Sequence, residues 1–303
     1  MEGSSLMPVL RIPLVSKYEN RDSTDDQDYR LVNAYAEPQG EDVAVVKRPG
    51  LTQLHATEAG EGRGIYVWKN NVYAVVGQAV YKDTTDLGDL NTSTGRVYFG
   101  ESRLTDGTEY LIISDGTDIW RITTAGAMTD ITTLGGWNSD ITSHVDGVEV
   151  YNSYIFVMRE NGRIYNSNVS DPDTWTATDF LTAEVRPDGG VALIRYMDYL
   201  LAFGSDTIEI FYDAANATGS PLLRYEGTAV YIGCPAGGSV VSVDETVFFV
   251  GKTLSGGVGV YAYQQLKPQK ISSPNIDKIL EAEDSNLSSA YGFTAKIQGH
   301  TFY

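Results

Sequence analysis

"MDYLLAFGSDTIEIFYD", residues 197–213, decides the fold. A polar turn leads into the apolar run YLLAF. A Gly-Ser-Asp turn follows, and the second run, IEIFY, alternates apolar and polar side chains. Two short runs of β-branched and aromatic residues joined by turn residues predict a hairpin. The same grammar recurs in "NNVYAVVGQAVYKD" (70–83), "GTEYLIISDGTDIWRIT" (107–123), "NSYIFVMRENGRIYNSN" (152–168) and "DETVFFVGKTLSGGVGVYAYQ" (244–264). It begins again in "QGHTFY" (298–303). Each second run carries an aromatic: Tyr81, Trp120, Tyr165, Phe211 or Tyr261. Aligning Tyr73, Tyr110, Tyr154, Tyr199, Val247 and Thr301 gives a repeat of roughly 40–50 residues, the length of a four-stranded unit with its loops. "RVYFGESRL" (96–104) and "GGSVVSVDE" (237–245) supply further strands.

Runs such as VFFVG and YLLAFG suit strands covered on both faces, which happens when blades pack face to face. The expectation is an all-β chain, a six-bladed β-propeller with its last blade incomplete at Tyr303, rather than a pair of β-sandwiches or a β-helix. Residues 61–303 form the propeller. Residues 1–60 lack the repeat and read as an N-terminal arm or docking segment, with "NRDSTDDQDYR" (20–30) as an acidic polar loop. A propeller must close or leave edges exposed. Either the stretch 41–54 completes the ring or the chain is a fragment of a longer protein, and the fragment is the expectation. "NIDKILEAEDSNLSSAYG" (275–292) is the one helical stretch expected.

Composition narrows the function. Forty acidic residues stand against 22 basic ones, a formal net charge of -18 over 303 residues. Such a surface repels nucleic-acid phosphates, which argues against a DNA-reading protein but not against a wall beside DNA. Cys234 is the only cysteine, so no internal disulfide forms. The start "MEGSSLMPVLRIPLV" lacks a basic segment, and two prolines and Arg11 interrupt it, so it does not read as a signal peptide. No run approaches the roughly 20 apolar residues of a membrane helix.

Reactive residues are scarce and scattered. His55, His144 and His300 lie on different repeats or the arm, and metal ligation requires convergence. His144 and Asp146 are the closest pairing. Cys234, in "IGCPAGG", has no base nearby in sequence and reads as a small buried thiol. "GEGRG" (60–64) and "GGVGV" (256–260) lack the Lys-Ser/Thr of a phosphate loop. The turns "SDGTD" (114–118) and "DGTEY" (106–110) lack calcium-ligand spacing. "SDPDTW" (170–175) is a weak echo of sialidase-type turns, without their glycine or an arginine cluster. No catalytic, cofactor-binding or metal-binding residue is assigned.

Four stretches in order resemble a known family. They are "LVNAYAEP" with "VVKRPGL"; "GRIYNSNVSDPDTWTATDFLTAEVRPD" (162–188); "SDTIEIFYDAANATGSPLLRYEGTAVYIGCPAGGSVVSVDETVFFVG" (205–251); and "HTFY". Together they resemble the packaged-DNA stabilisation proteins of short-tailed phages, also described as tail-hub or nozzle proteins. The resemblance implies a non-enzymatic virion protein of the tail, assembled in the host cytoplasm. It would form a homo-hexameric ring beneath portal-adaptor (head-to-tail connector) proteins, meeting a tail needle, tailspike or fibre proteins. Packaged DNA would pass without specific binding, and no membrane or cofactor is implied. On the resemblance, "SNVSDPDTWTATDF" (167–180) is an inter-blade turn. Asp171 and Asp173 would accept backbone N–H bonds, and Trp175 would plug a gap between blades. The alternative is a glycan- or receptor-binding propeller, since blade-loop Tyr and Trp suit sugar stacking; a propeller glycoside hydrolase ranks below it.

Overall fold

The computed structural model describes residues 34–39, 42–50, 59–297 and 300–303. The acidic stretch 20–30 and His55 lie outside the described residues, as does the side chain of His300. Four sheets are four-stranded antiparallel meanders. Blade 1 runs through Gly62–Trp68, Asn71–Val76, Ala79–Lys82 and Thr85–Asp89. Blade 2 comprises Tyr98–Arg103, Glu109–Ser114, Ile119–Thr123 and Met128–Asp130. Blade 3 comprises Glu149–Tyr151, Tyr154–Met158, Arg163–Asn166 and Phe180–Thr182. Blade 4 comprises Gly190–Tyr196, Tyr199–Gly204, Ile208–Asp213 and Leu222–Arg224.

The fifth sheet has a broken inner strand. Ile232–Gly233 and Val241–Val243 both pair with Thr246–Thr253, which continues to Val258–Gln264 and Lys267–Lys270. Residues between the two pieces carry Cys234 and a 3-10 turn at Gly237–Ser239. Ser239 repairs the break: its hydroxyl donates to Ala236 O at 2.6 Å and accepts from Val250 N at 3.0 Å. The backbone donor stranded by the missing pairing is thereby satisfied.

The repeat alignment holds in register. Tyr73, Tyr110, Tyr154, Tyr199 and Val247 all fall in second strands. Tyr81, Trp120, Tyr165, Phe211 and Tyr261 all fall in third strands. Successive strand residues point to opposite faces, so one strand feeds two cores. In blade 2, Leu111 and Ile113 pack with Trp68, Tyr73 and Val75 of blade 1. Ile112 between them packs with Ile155, Val157 and Tyr165 of blade 3. Phe156 and Met158 meet Leu200 and Phe211 of blade 4, and Leu201 and Phe203 meet Val247 and Phe249 of the fifth sheet. Each buried side chain of this size stabilises by about 1.5–3 kcal/mol, and each core belongs to two neighbouring blades.

Turn chemistry sets the hairpins. Lys69–Asn70, Asn152–Ser153, Asp244–Glu245 and Gln265–Leu266 all have positive φ at both positions, the signature of tight two-residue turns. Side chains with a Cβ are strained there. Glu245 is exposed, with φ 57°. Glu245→Gly is therefore expected to raise stability by about 1 kcal/mol, read as a higher urea midpoint with an unchanged slope.

After the fifth sheet comes the helix Pro274–Ala282, then a 3-10 segment, Asp284–Ser289. The expected helical stretch 275–292 thus divides: beyond Glu283 the chain tightens to 3-10, with Asp284 paired to Lys252 at 2.7 Å and Asn286 Nδ2 donating to the Glu283 carboxylate at 3.1 Å. Leu280 and Leu287 cover Val250 and Val258 of the fifth sheet. Two hairpins complete the described chain: Ala34–Gln39 with Asp42–Lys47, and Ala295–Ile297 with His300–Phe302. Tyr35 and Phe302 join them edge to face at 5.2 Å.

Candidate functional site

The inner strands surround an axial cavity of about 870 Å³. Its wall takes Ile65 and Tyr66 from blade 1, Arg96–Phe99 at blade 2, Glu149 from blade 3 and Ile194 and Arg195 from blade 4. Val240–Ser242 of the fifth sheet and residues 291–294 complete it. Six chain segments thus line one axis.

A polar tie crosses that axis. The Arg96 guanidinium lies over the Tyr98 ring, 5.2 Å from its centroid. It donates to the carbonyl of Gly238 and, at 3.1 Å, to that of Gly292. Gly292 N donates to Gly238 O at 2.9 Å, and the Tyr303 hydroxyl donates to Ser239 O at 3.0 Å. Tyr303 stacks on Phe248 with centroids 5.3 Å apart, and Lys296 pairs with Asp244. Blade 2, the fifth sheet and the closing hairpin are locked together there.

Burial shifts the carboxyls beside the tie towards their protonated forms. Burial pushes the Glu149 carboxyl up to about 8, against the opposing pull of the Arg195 backbone and guanidinium. Burial also raises Asp146, opposed by the Tyr98 hydroxyl and Arg96. Beside Asp146, Gly147 adopts φ 108°, and a Cβ there would sit 2.0 Å from Leu193 O. Only glycine lets blades 3 and 4 approach this closely.

The sequence's candidate residues separate on inspection. His144 does not pair with Asp146; its Nε2 is 2.5 Å from Ser114 Oγ. Both side chains are buried, and burial lowers the imidazole to about 4. A neutral imidazole sealed from solvent pins two blades and offers no reacting face. Cys234 is fully buried; its thiol points at Ala236 O at 3.1 Å, and burial pushes it up to about 12. That describes an unreactive thiol. Among the described residues no three His, Cys, Asp or Glu side chains converge for a metal.

The turn 167–180 is an inter-blade device in which the two aspartates have different roles. Asp171 Oδ1 accepts from Asp173 N at 3.0 Å, as expected. Asp173 instead takes Arg121 of blade 2 in a two-point pair, at 2.7 and 3.1 Å. The reason is topological: the turn lies against the third strand of the preceding blade, which the linear sequence does not reveal. Trp175 fills the gap as expected. It is 3% exposed, meets Trp137 edge to face at 5.2 Å, and donates to Pro172 O at 2.9 Å. Arg96 and Glu149 were missed in the sequence, and Asp146 was considered only as a partner for His144, because nothing local distinguishes an axial charge from a surface one.

These groups give the pH profile a definite sign. Glu149 is more basic folded than unfolded, so its contribution is full below about 4.5 and is lost as pH rises through about 8. His144 is less basic folded, so stability falls as pH drops from 6.5 towards about 4. Above pH 6.5 the carboxyl effect acts without opposition from His144. Glu149→Gln is expected to flatten that alkaline limb by about 2 kcal/mol, a value reduced because the carboxyl borders a cavity open to solvent. Urea unfolding at several pH values between 6.5 and 9 checks it; an unchanged limb would show that Glu149 is ionised in the fold.

Face-to-face antiparallel blades around a tied axis define a β-propeller. The chain belongs to the family described as Bacteriophage P22 Gp10, beta-propeller, whose sequence model matches residues 10–303. The tail hub protein gp10 of Salmonella phage P22 is 26% identical over 311 residues, covering 91% of this chain and 60% of that protein. The chain thus spans about three fifths of the length of this curated relative. Among solved structures, a streptogramin B lyase superposes with TM-score 0.46 and 11% identity, covering 81% of this chain and 78% of its own. A catalytically inactive virginiamycin B lyase from Staphylococcus aureus gives TM-score 0.44 and 17% identity, covering 71% and 72%.

Proposed function

We propose that this chain is a structural subunit of a short phage tail, a tail hub or nozzle component that closes the DNA exit channel, stabilises packaged DNA and guides its ejection. Membership of the P22 Gp10 family along residues 10–303 carries this reading. The tied axis supports it: Arg96 and its partners obstruct the propeller's own axis, so a DNA path would run between subunits. A homo-hexamer would supply that path. The net charge of -18 suits a wall along which phosphates slide without adhering. Portal-adaptor proteins above, and needle, tailspike or fibre proteins below, are its proposed partners. No helix among the described residues is long and apolar enough to cross a membrane.

In this reading the propeller has six blades. Support comes from the sixth segment on the axial wall, residues 291–294, and from the two hairpins joined through Tyr35 and Phe302. The free face of blade 1 leaves Ile65 71% and Val67 63% exposed, which suits a further strand beside the closing hairpins. Residues 61–303 are the propeller and 1–60 the docking segment, whose 34–47 hairpin meets the closing strand.

Immunogold electron microscopy of the source virions, with antibody against this chain, tests the proposal. Label at the single tail vertex is expected. Label at fibre tips would favour a receptor-binding propeller, and unlabelled particles would remove the virion role. Duplex-DNA binding that is tight and strongly salt-dependent would argue against a sliding wall.

A further inference from the structure

A second pocket, of about 250 Å³, opens on the rim of blade 4, away from the axial tie. Its lining includes Tyr199, Tyr212, Tyr225, Asp198 and Asp213. Strand register builds it. Leu200 pairs with Phe211, which sets Tyr199 opposite Tyr212 on one face. Tyr225 follows the fourth strand and donates its N–H to Ile210 O at 2.8 Å, joining the same face. The Tyr225 ring lies 5.7 Å from Tyr199 at 55° and 6.2 Å from Tyr212 at 89°. Rings at such angles form a box corner, whereas sugar stacking calls for a flat platform.

The polar side of the box is anionic. Asp213 accepts Asn152 Nδ2 at 2.7 Å on one oxygen and Ala215 N at 2.8 Å on the other. Both donors are neutral, so its charge is oriented but not cancelled. Asp198 is exposed at the turn, where its carbonyl takes the Tyr151 hydroxyl at 2.8 Å. Among the described residues neither carboxylate forms an ion pair. Arg195, on the adjoining strand, is occupied by the Tyr151 ring at 5.1 Å and Met197 O at 2.9 Å. Aromatic faces meeting at an angle, with unneutralised carboxylates at the rim, match the chemistry of an organic cation.

We propose that this pocket binds an alkylammonium group, the cation resting against the tyrosine faces with Asp198 and Asp213 supplying the counter-charge. The proposal does not depend on the tail-hub reading. The group can come from a small quaternary amine or from a lysine side chain of a neighbouring protein. Calorimetric titration with tetramethylammonium, at constant ionic strength, tests the chemistry; choline and N-acetyl-lysinamide then separate the two sources.

Saturable millimolar binding is expected, weakened about tenfold in Tyr225→Ala by loss of one cation–π face. Asp198→Asn should weaken it several-fold with the rings intact. Tyr225 is 40% exposed and Asp198 lies in a surface turn, so both variants should keep the wild-type melting temperature. The proposal is overturned if tetramethylammonium does not saturate, if both folded variants bind as wild type does, or if an uncharged isostere such as neohexanol binds equally well. Binding of methyl galactoside at this pocket in place of the cation would overturn it in favour of a glycan site.

Discussion

Arg63→Ala is expected to destabilise the protein by about 3–5 kcal/mol, among the largest effects available to a single side chain here. Arg63 is 3% exposed, at the junction of blades 1 and 2. Its Nε donates to Gly95 O at 2.6 Å. One terminal nitrogen donates to Thr92 O at 2.7 Å and Gly77 O at 3.0 Å, and the other to Thr92 Oγ1 at 2.7 Å. Thr92 passes the interaction on, donating to Asp115 Oδ2 at 2.6 Å. Asp115 in turn holds the N–H groups of Thr117 and Asp118 in the next blade's turn. Burial lowers the Arg63 guanidinium from its usual value, with Asp115 and Glu61 opposing. Alanine would strand three carbonyls and leave Asp115 without its counter-charge. Each buried unsatisfied acceptor costs about 1–3 kcal/mol. A urea midpoint within error of wild type would show that water replaces the guanidinium without loss.

Trp175→Ala should cost about 3–5 kcal/mol, by lost burial and by the cavity left between blades 2 and 3. The indole packs into the core shared by Ile112, Ile131, Ile155 and Tyr165. Its removal also takes away the edge contact to Trp137 and the donor to Pro172 O. Trp175→Phe keeps most of the volume and should lose less than half as much. Arg121→Met tests the other anchor of the same turn; as a partly exposed pair its loss is expected near 1 kcal/mol. Thermal unfolding of the three variants should rank them in that order. If Arg121→Met proved worse than Trp175→Ala, the turn would be held by charge and not by packing.

What was legible in the sequence was periodic. Strand pairs, turn positions and third-strand aromatics follow from local alternation, so Tyr165 and Phe211 identify themselves. The place of Trp175 between blades came from the family resemblance, not from local alternation. The site was not legible. Arg96 reaches carbonyls at 238 and 292, a distance along the chain that only ring topology abolishes. Glu149 looks like any strand-edge carboxylate until five inner strands surround it. Asp173 faces Arg121 because one blade's turn rests on its neighbour. The split in the fifth sheet was hidden because "GGSVVSVDE" has strand composition throughout, and only the Ser239 hydroxyl reveals where the ladder stops.

The axial tie has a mechanical consequence. A ring of separate plates is a hoop, and a hoop fails at its weakest joint, here the open face of blade 1, where Ile65 and Val67 are exposed. Arg96 acts as a spoke: it runs from blade 2 to the fifth sheet and to the closing segment on the far side of that joint. Tension that parts the joint is therefore shared across the diameter. Because each core is common to two plates, a plate torn from the rim exposes both of its neighbours. The wheel resists prying at one place and, once opened, fails as a whole.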